Sequence, residues 1–376
     1  MKKILVLGTG LVGSTICRDL APHFSVMAAD RDENRLASLK GVPNLETVGA
    51  DLTDPHILGQ LAGKADLVIG ALPGYLGFES VRQCILAGRN MVDISFFPED
   101  PFELDDLARE KGVTVITDCG VAPGMSNLIL GYHNAHMSVS RFRCLVGGLP
   151  VTRTLPWQYK AGFSPIDVLE EYTRPARYLE NGKLVVKEAL TDVELVEVPG
   201  IGTLEAFNSD GLRSLLTTVS VADMVEKTLR YPGTADLLRL FRENGFFSQD
   251  ALEINGLKIR PVDLTARLLF PQWELKPGEK EFTVMQISID AVVDDQPVEY
   301  RWELLDNADP STGFSSMART TGFTCTAVAN LIIGGQLVRP GVSPPELIAP
   351  EESVFRFILK YLEERGVLYH LTLIRK

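Results

Sequence analysis

The sequence predicts an α/β fold, with a doubly wound parallel sheet in the first part of the chain and an α+β domain after it. Two observations predict this. Short apolar runs alternate with helical segments over residues 1–140, and longer runs of alternating apolar residues begin at about residue 141. A chain of 376 residues is also long enough for two domains. We therefore predict domains over residues 1–140 and 141–317.

The first element is a strand over residues 4–7, because four consecutive apolar residues suit a strand that is covered on both faces. Gly8, Gly10 and Gly13 follow in the order G-x-G-x-x-G. They permit a tight turn, a close approach of a pyrophosphate and close packing of a helix on the strand. The strand–turn–helix context favours a Rossmann dinucleotide site over glycines that merely form a turn. The predicted phosphate-binding residues are Gly8, Gly10, Leu11, Val12 and Gly13.

The second strand covers residues 24–29 and ends at Asp30. A carboxylate at this point accepts hydrogen bonds from the adenosine ribose of NAD and repels the additional phosphate of NADP. Arg31 lies beside it and is able to pair with that phosphate. We expect NAD as the cofactor and keep NADP as the alternative.

Further strands are predicted at residues 45–49, 66–69, 90–94 and 113–117, with helices at 55–62, 77–87 and 101–110. Ligands of a doubly wound sheet lie beyond the carboxyl ends of its strands. The residues at those ends are Asp51, then the small apolar turn Ala71, Leu72 and Pro73, then Asp93 and Ser95, and finally Asp118, Cys119 and Gly120. Asp51 is expected near the adenine or, alternatively, as a helix cap. The apolar turn would let a nicotinamide ring lie close.

The composition limits the kind of partner. A formal net charge of −12 disfavours nucleic acid and anionic membranes and is compatible with a cationic or zwitterionic small substrate. The first residues form neither a signal peptide nor a membrane span, so we expect a cytoplasmic protein. Five widely spaced cysteines without a C-x-x-C pair predict reduced thiols and no metal site.

The second part of the chain predicts sheet and helices together. Asn181 and Gly182 predict a two-residue hairpin turn, and residues 282–293 and 298–305 predict a long hairpin. Helical segments are predicted at 165–172, 221–231, 234–244, 320–333 and within 345–366, and a last strand at 368–374.

The segment D-C-G-V-A-P-G-M-S-N at residues 118–127 resembles the saccharopine dehydrogenase family. Further matches are V-G-G-L-P at 146–150, L-E-A-F at 204–207, K-T-L-R-Y-P-G at 227–233 and M-A-R-T-T at 317–321. Saccharopine-forming members carry G-L-D-P-G in this turn, where the aspartate helps to hold the substrate, whereas this chain has Ala122. G-V-A-P-G-M is closer to the lysine 6-dehydrogenase branch.

The resemblance implies that the helix at 320–333 returns to the NAD-binding domain, which residues 318–376 would complete. The α+β substrate-binding and dimerisation domain would then be an insertion, and the protein a homodimer. The implied activity is NAD-dependent oxidation of the terminal amine of an amino acid, with L-lysine as the expected substrate. Two alternatives stay open: action on a secondary amine, as in saccharopine or carboxynorspermidine dehydrogenases, and a non-enzymatic NAD-binding regulator.

Amine oxidation needs a group that accepts a proton and a group that holds the substrate carboxylate. Asp93 and Asp118 are the predicted catalytic residues, although each is also a candidate helix cap. Arg213 and Arg230 are candidates for the carboxylate or, alternatively, ordinary surface or interface arginines. The predicted substrate-binding set is Ser95, Cys119, Gly120, Ala122, Arg213, Arg230 and Tyr231. Cys119 and Tyr231 have packing roles as alternatives.

Overall fold

The structure, a computed structural model, describes residues 1–276 and 278–375, which form two compact units. The first unit comprises Met1–His136 and Met317–Tyr369. The second comprises Met137–Ser316 and the residues from His370 onward. The second unit therefore interrupts the first, and the chain returns to the first unit at Met317.

Strands and helices alternate in the first segment. They are β1 (Lys3–Leu7), α1 (Leu11–Leu20), β2 (Ser25–Asp30), α2 (Glu33–Ala37), β3 (Leu45–Gly49), α3 (Pro55–Ala62), β4 (Leu67–Gly70), α4 (Gly74–Leu86), β5 (Asn90–Asp93), α5 (Asp105–Lys111), β6 (Thr114–Ile116) and α6 (Met125–His136), with a 3₁₀ turn at Pro101–Leu104.

Longer strands dominate the second segment. Its elements are β7 (Ser138–Pro150), α7 (Pro165–Thr173), β8 (Ala176–Glu180), β9 (Lys183–Lys187), β10 (Glu194–Val198), β11 (Gly202–Asn208), α8 (Leu215–Thr218), β12 (Asp223–Arg230), α9 (Thr234–Glu243), β13 (Leu252–Ile254), β14 (Leu257–Ile259), α10 (Pro261–Trp273), β15 (Glu281–Val293) and β16 (Gln296–Asn307). The chain ends with α11 (Ser316–Ile333), β17 (Gly341–Val342), a 3₁₀ turn at Pro345–Leu347, α12 (Glu352–Glu363) and β18 (Tyr369–Arg375). None of these helices is both long enough and apolar enough to cross a membrane.

The first unit is built on a parallel sheet in the order β17-β6-β5-β4-β1-β2-β3. Four successive residues of β1, from Ile4 to Leu7, are fully buried, as expected for a central strand covered on both faces. The order reverses at β1, so the crevice of a doubly wound sheet lies at the carboxyl ends of β1 and β4. The predicted Rossmann fold is confirmed. The two-residue strand β17 and the five-residue helix α2 were too short to be predicted.

The second unit contains a mixed sheet in the order β10-β11-β12-β7-β15-β16-β18, with β8 beside β12 and β9 beside β8. Both predicted hairpins are present. Asp294 and Asp295 link β15 to β16 with φ angles of 50° and 59°, and Asn181 and Gly182 link β8 to β9 with φ angles of 50° and 72°. Two consecutive left-handed residues match the right-handed twist of the flanking strands.

The prediction of a helix over residues 221–231 is wrong, because this segment forms strand β12 between β11 and β7. A charged residue at position 227 is compatible with the solvent-exposed face of an amphipathic helix. Its side chain is buried and ionically paired, with Nζ 2.7 Å from a Glu194 oxygen, so it does not mark a solvated helix face. The predicted last strand is present as β18, but it joins the second sheet, whereas the family resemblance implied that residues 318–376 complete the first domain.

Candidate active site

In the glycine turn after β1, a side chain would be blocked at Gly8 and Gly13 but not at Gly10. A Cβ atom at Gly8 would collide with the carbonyl oxygen of Ala71, and a Cβ at Gly13 would collide with that of Gly8. At Gly10 the nearest atom to an added Cβ is Arg35 Nη1, 3.9 Å away, and no side chain caps α1. The main chain is therefore open at the point where α1 presents its first amides. The turn fits the pyrophosphate of a dinucleotide.

Asp30 ends β2 and is only 6% exposed. Thr9 donates to its Oδ2 from the main-chain amide at 2.7 Å and from the hydroxyl at 2.9 Å, and the Asp32 amide donates to Oδ1 at 2.9 Å. Burial acts to raise the pKa of Asp30, but these hydrogen bonds outweigh it and hold the pKa below its usual value. Asp30 thus presents a charged carboxylate beside the glycine turn. Its contact with Thr9 had no signal in the sequence.

Two arginines lie near this carboxylate. Arg35 Nη1 is 4.0 Å from Asp30 Oδ2, and the Arg35 side chain is more than half exposed. Arg31 is exposed and, after the stronger effect of two hydrogen bonds from Thr53, its charge contributes to lowering the pKa of Asp51. Two arginines and the Asp30 carboxylate therefore lie near the end of β2. Arg35 was not predicted from the sequence as a site residue.

Asp51 does not cap the helix that follows it. Its Oδ1 accepts hydrogen bonds from the amide and hydroxyl of Thr53 at 3.0 and 2.7 Å, whereas the cap of α3 is Asp54, which accepts from the amide of His56 at 2.8 Å. The capping alternative for Asp51 is therefore wrong. Asp51 is an exposed carboxylate at the end of β3, and its role near the adenine stays a prediction.

Two glycines on either side of the turn after β4 leave space for the side chains of Asp93 and Ser95. Ala71 and Pro73 are partly exposed, and Leu72 is buried. Added Cβ atoms at Gly70 and Gly77 would collide with Asp93 Oδ1 and Ser95 Oγ, respectively. These two glycines are a sequence signal that the prediction did not use.

Asp93 and Ser95 form a buried pair at the end of β5. The amide and hydroxyl of Ser95 donate to Asp93 Oδ2 at 3.0 and 2.5 Å, and the Asp93 carbonyl oxygen accepts from the Cys119 amide at 3.0 Å. The following 3₁₀ turn is capped by Asp100, so the helix-cap alternative for Asp93 is wrong, and its catalytic role stays a prediction. The ends of β5 and β6 are thus joined directly.

Cys119 lies between two carboxylates. It is fully buried; its burial first, and then the negative charges of Asp93 and Asp118, raise the pKa of its thiol. A thiol in that environment stays protonated and is a poor nucleophile, which supports a packing role. Asp118 itself is 2% exposed and has a φ of 53°. Two buried carboxylates at adjacent strand ends make this end of the sheet suited to an ammonium group.

The segment from Gly120 to Gly124 forms a closed turn before α6. The Gly120 amide donates to the Pro123 carbonyl oxygen at 3.1 Å, and the Met125 amide donates to the Gly120 carbonyl oxygen at 3.0 Å. Gly124 has a φ of 142°, and a Cβ there would collide with Gly120. Ala122 and Pro123 remain partly exposed, so an apolar tip follows the two buried carboxylates.

In the second unit, Arg230 is tied into the interior of the protein. Its Nε donates to the Tyr172 hydroxyl at 3.0 Å, Nη1 to the Leu229 carbonyl oxygen at 2.9 Å and Nη2 to Glu171 at 2.8 Å, and the guanidinium lies over the Tyr159 ring. Three of its five N–H donors are used in this way. This geometry favours a structural role for Arg230 over a substrate role.

Tyr231 also has a structural partner, since its hydroxyl donates to the Pro150 carbonyl oxygen at 2.9 Å. Its ring is covered by the Arg153 guanidinium at 4.4 Å, and the residue is buried. The packing alternative for Tyr231 is therefore favoured by its contacts.

Arg213 lies in a cluster of arginines that the sequence did not reveal. It is buried with a φ of 49°, and its positive charge, after the larger effect of burial, lowers the pKa of Arg174. Arg177 pairs with Asp210 through two hydrogen bonds of 2.9 and 2.8 Å. Arg174 Nη2 also lies 3.3 Å from Glu170 Oε2, so part of the charge of Arg174 is already offset within the protein. Arg213 remains the predicted carboxylate ligand, and Arg174 is a second candidate.

The parallel sheet with its open glycine turn, together with the acidic strand ends, defines a dinucleotide-binding protein interrupted by a mixed-sheet unit. Residues 4–116 match the saccharopine dehydrogenase NADP binding domain, and residues 120–367 match the saccharopine dehydrogenase C-terminal domain. The chain belongs to the saccharopine dehydrogenase family. The resemblance found in the sequence is thereby confirmed at the level of the family.

Named relatives are distant. Mitochondrial alpha-aminoadipic semialdehyde synthase of Bos taurus is 24% identical over 98% of this chain, which spans about half of that relative, 47% of its length. Saccharopine dehydrogenase [NADP(+), L-glutamate-forming] of Saccharomyces cerevisiae is 22% identical over 98% of both chains. A solved structure of the L-Glu-forming saccharopine dehydrogenase from Saccharomyces cerevisiae covers 100% of both chains, with a TM-score of 0.80 at 21% identity, and supports the fold.

Proposed function

We propose that the protein is an NAD-dependent oxidoreductase that removes the terminal amino group of an amino acid, with L-lysine as the preferred substrate. The observation that carries this proposal is Ala122 at the partly exposed tip of a turn that follows two buried carboxylates. Saccharopine-forming relatives resemble this chain but carry an aspartate in the turn. A methyl group offers no partner for a second ammonium, so the turn suits a single amino acid with a simple amine tail.

The residues at the strand ends of the first unit would hold the cofactor. The open main chain at Gly10 and the first amides of α1 suit the pyrophosphate, and the charged carboxylate of Asp30 suits the ribose hydroxyls. When bound, NAD supplies the hydride acceptor. The protein has to bring the amine-bearing carbon to that acceptor and take up a proton.

Asp93 and Asp118 are the groups proposed for the proton. A terminal ammonium loses one proton to a carboxylate, and the neutral amine then loses a hydride from its carbon to become an iminium ion. Water adds to that carbon and ammonia leaves, which gives an aldehyde. The aldehyde condenses with the α-amine and loses water to form a six-membered cyclic imine, piperideine-6-carboxylate. The carboxylates stabilise the cationic species at both ends of this sequence.

A second candidate is the oxidation of a secondary amine such as saccharopine. It is favoured by the names of the relatives that match the whole chain. The two reactions differ in their products, because oxidative cleavage of a secondary amine releases a primary amine and a carbonyl compound but no ammonia. A non-enzymatic NAD-binding regulator stays as the third possibility, and the expected homodimer and cytoplasmic location stay predictions.

A substrate panel tests the proposed function. We expect L-lysine to yield NADH, ammonia and the cyclic imine in equal amounts, and kcat/KM for saccharopine to be lower than for lysine because Ala122 provides no carboxylate. NADH absorbance and an ammonia assay follow the reaction for lysine, ornithine, 1,5-diaminopentane and saccharopine. A higher kcat/KM for saccharopine, or NADH from lysine without ammonia, overturns the proposal. Tight NAD binding with no NADH from any amine supports the regulator instead.

Cofactor choice provides a separate prediction. NAD is expected to bind more tightly than NADP, because the carboxylate of Asp30 is charged and repels a 2′-phosphate. Asp30→Asn keeps an oxygen that accepts from Thr9 and removes the charge. It should weaken NAD binding by about 1–3 kcal/mol and reduce the difference in affinity between NAD and NADP. Dissociation constants for both cofactors, from fluorescence titration, measure the effect.

Arg35→Ala is the matched variant for this prediction, because its guanidinium lies 4.0 Å from Asp30 and the side chain is largely exposed. Its loss should leave NAD binding nearly unchanged and weaken NADP binding. The relatives are NADP-dependent by name. Tighter NADP binding by the parent protein would therefore mean that the arginines, and not Asp30, determine the cofactor.

A further inference from the structure

Gly124 directly precedes helix α6, and its carbonyl oxygen accepts the first helical hydrogen bond from the Leu128 amide at 2.9 Å. Glycine has no side chain with which to cap the helix. Asn127, three residues later, reaches back, and its Oδ1 accepts a hydrogen bond from the Gly124 amide at 3.3 Å. This contact is the second half of a capping box, in which a side chain of the first turn binds the amide that precedes the helix. Asn127 thereby holds the end of the turn that contains Ala122.

The orientation of the Asn127 amide is set by a residue far along the chain. Asn127 Nδ2 donates to Glu346 Oε2 at 3.1 Å, and Ser126 Oγ donates to Asn127 Oδ1 at 3.1 Å. Asn127 is fully buried and Glu346 is 2% exposed. The Gly124 amide and the Asn127 NH₂ group only donate hydrogen bonds, so the Asn127 oxygen faces Gly124 and the NH₂ group faces the Glu346 oxygen. A flipped amide would break both contacts.

The main chain at Glu346 is also fixed against α6. A Cβ at Gly131 would lie 2.5 Å from the Glu346 carbonyl oxygen and 2.6 Å from its Cα. Gly131 is one helical turn after Asn127 and therefore lies on the same face of the helix. The 3₁₀ turn at Pro345–Leu347 is thus held at a fixed distance from Asn127, and the side chain of Glu346 has little freedom to move away from it.

We propose that Glu346 is a positioning residue: through Asn127 it fixes the turn Gly120–Gly124 in the arrangement that receives the reacting amine. The kinetic consequence of this inference rests on the proposed function, NAD-dependent oxidation of an amine. Its structural part, that Glu346 orders this turn, stands on the contacts alone. The hydrogen bonds described for Asn127 and Glu346 do not involve the glycine turn at residues 8–13, which would hold the pyrophosphate. Loss of the Glu346 carboxyl should therefore affect the reacting end of the substrate and leave cofactor binding intact.

Glu346→Ala and Glu346→Gln test the proposal. Glutamine retains an oxygen that accepts from Asn127 Nδ2, so Glu346→Gln should stay within about threefold of the parent in kcat. Glu346→Ala removes the acceptor and should lower kcat by about tenfold to a hundredfold, because small displacements of a reacting group are costly. NAD affinity should be unchanged in both variants. A general loss of folding would lower NAD affinity as well, and thermal melting of both variants checks for it.

Hydrogen exchange supplies a readout that does not need activity. In Glu346→Ala, the amides of the 120–126 segment should exchange about fivefold to tenfold faster, as for one lost hydrogen bond, while those at Gly10–Leu11 stay unchanged. Equal exchange of this segment in parent and Glu346→Ala overturns the positioning role. If the exchange changes as expected but the parent oxidises no amine, the proposed function fails and the ordering of the turn stands. If the 120–126 segment exchanges faster in Glu346→Ala but kcat equals that of the parent, the proposed effect of Glu346 on catalysis is overturned.

Discussion

Replacing Asp93 or Asp118 by asparagine is expected to lower kcat for amine oxidation by about two to four orders of magnitude at neutral pH, the usual contribution of a general base. Asparagine has nearly the same volume as aspartate, and it keeps an oxygen that Ser95 is able to donate to at position 93. The substitution therefore removes charge and basicity with little change in packing. Initial rates of NADH formation from L-lysine, measured from pH 6 to pH 10, give the effect.

The two variants also distinguish the base from its neighbour. The variant of the residue that takes the proton from the ammonium should recover partly at high pH, where more of the free amine is already neutral, whereas the variant of a carboxylate that stabilises the iminium ion should stay impaired at every pH. Asp51→Asn is the matched control, because Asp51 is an exposed carboxylate at another strand end of the same sheet. If kcat falls by less than about threefold in both Asp93→Asn and Asp118→Asn, neither residue has a catalytic role.

The glycine turn was predictable because its determinants are local. Gly8, Gly10 and Gly13 lie within six residues, and each is required by a contact with main-chain atoms or by the space for a ligand. The partner of Asp30 was not predictable. Thr9 occupies a variable position of the motif, and its hydroxyl contact spans 21 residues of sequence. Hydrophobic patterns carry no information about such pairs.

The same limit explains Glu346 and the arginines of the second unit. The hydrogen bond between Asn127 and Glu346 joins residues 219 positions apart. Arg230 and Arg213 are both candidate carboxylate ligands in the sequence, yet the structure shows Arg230 donating to Tyr172 and Glu171, and the charge of Arg213 lowering the pKa of Arg174. The sequence identifies an arginine as a candidate ligand. Only its surroundings decide whether its donors are already used inside the protein.

Strand β12 illustrates a further cause of error. Val221, just before this strand, and Met224, Val225 and Leu229 within it recur at spacings of three and four, which also fits a helix. In the sheet the charged side chains between them are buried against partners on other strands, such as Glu194 beside Lys227. A central strand with internally paired charges therefore has the pattern of an amphipathic helix, and tertiary contacts decide between the two.

Arg213→Ala is expected to lower kcat/KM for L-lysine by about 2–5 kcal/mol, the loss found when one partner of an enclosed charge pair is removed. Arg174 adds a second positive charge near Arg213, although Glu170 and Asp210 already offset part of the charge of Arg174. Arg213→Lys keeps the charge but loses the planar pair of N–H donors, so its kcat/KM for L-lysine should lie between those of the parent and Arg213→Ala. Steady-state kinetics with lysine measure these losses.

A substrate without a carboxylate separates binding from folding in the same variants. The parent should prefer L-lysine to 1,5-diaminopentane, and Arg213→Ala should lose most of that preference because only lysine has the group that Arg213 holds. Arg230→Ala is the contrasting variant. It leaves Glu171, whose acidic side chain is 2.8 Å from the Arg230 guanidinium, without its ion pair, so it should lower the free energy of unfolding by about 3–5 kcal/mol. If Arg213→Ala keeps the parent's preference for lysine over the diamine, the carboxylate is held elsewhere in the protein, and Arg213 is a structural cation like Arg230.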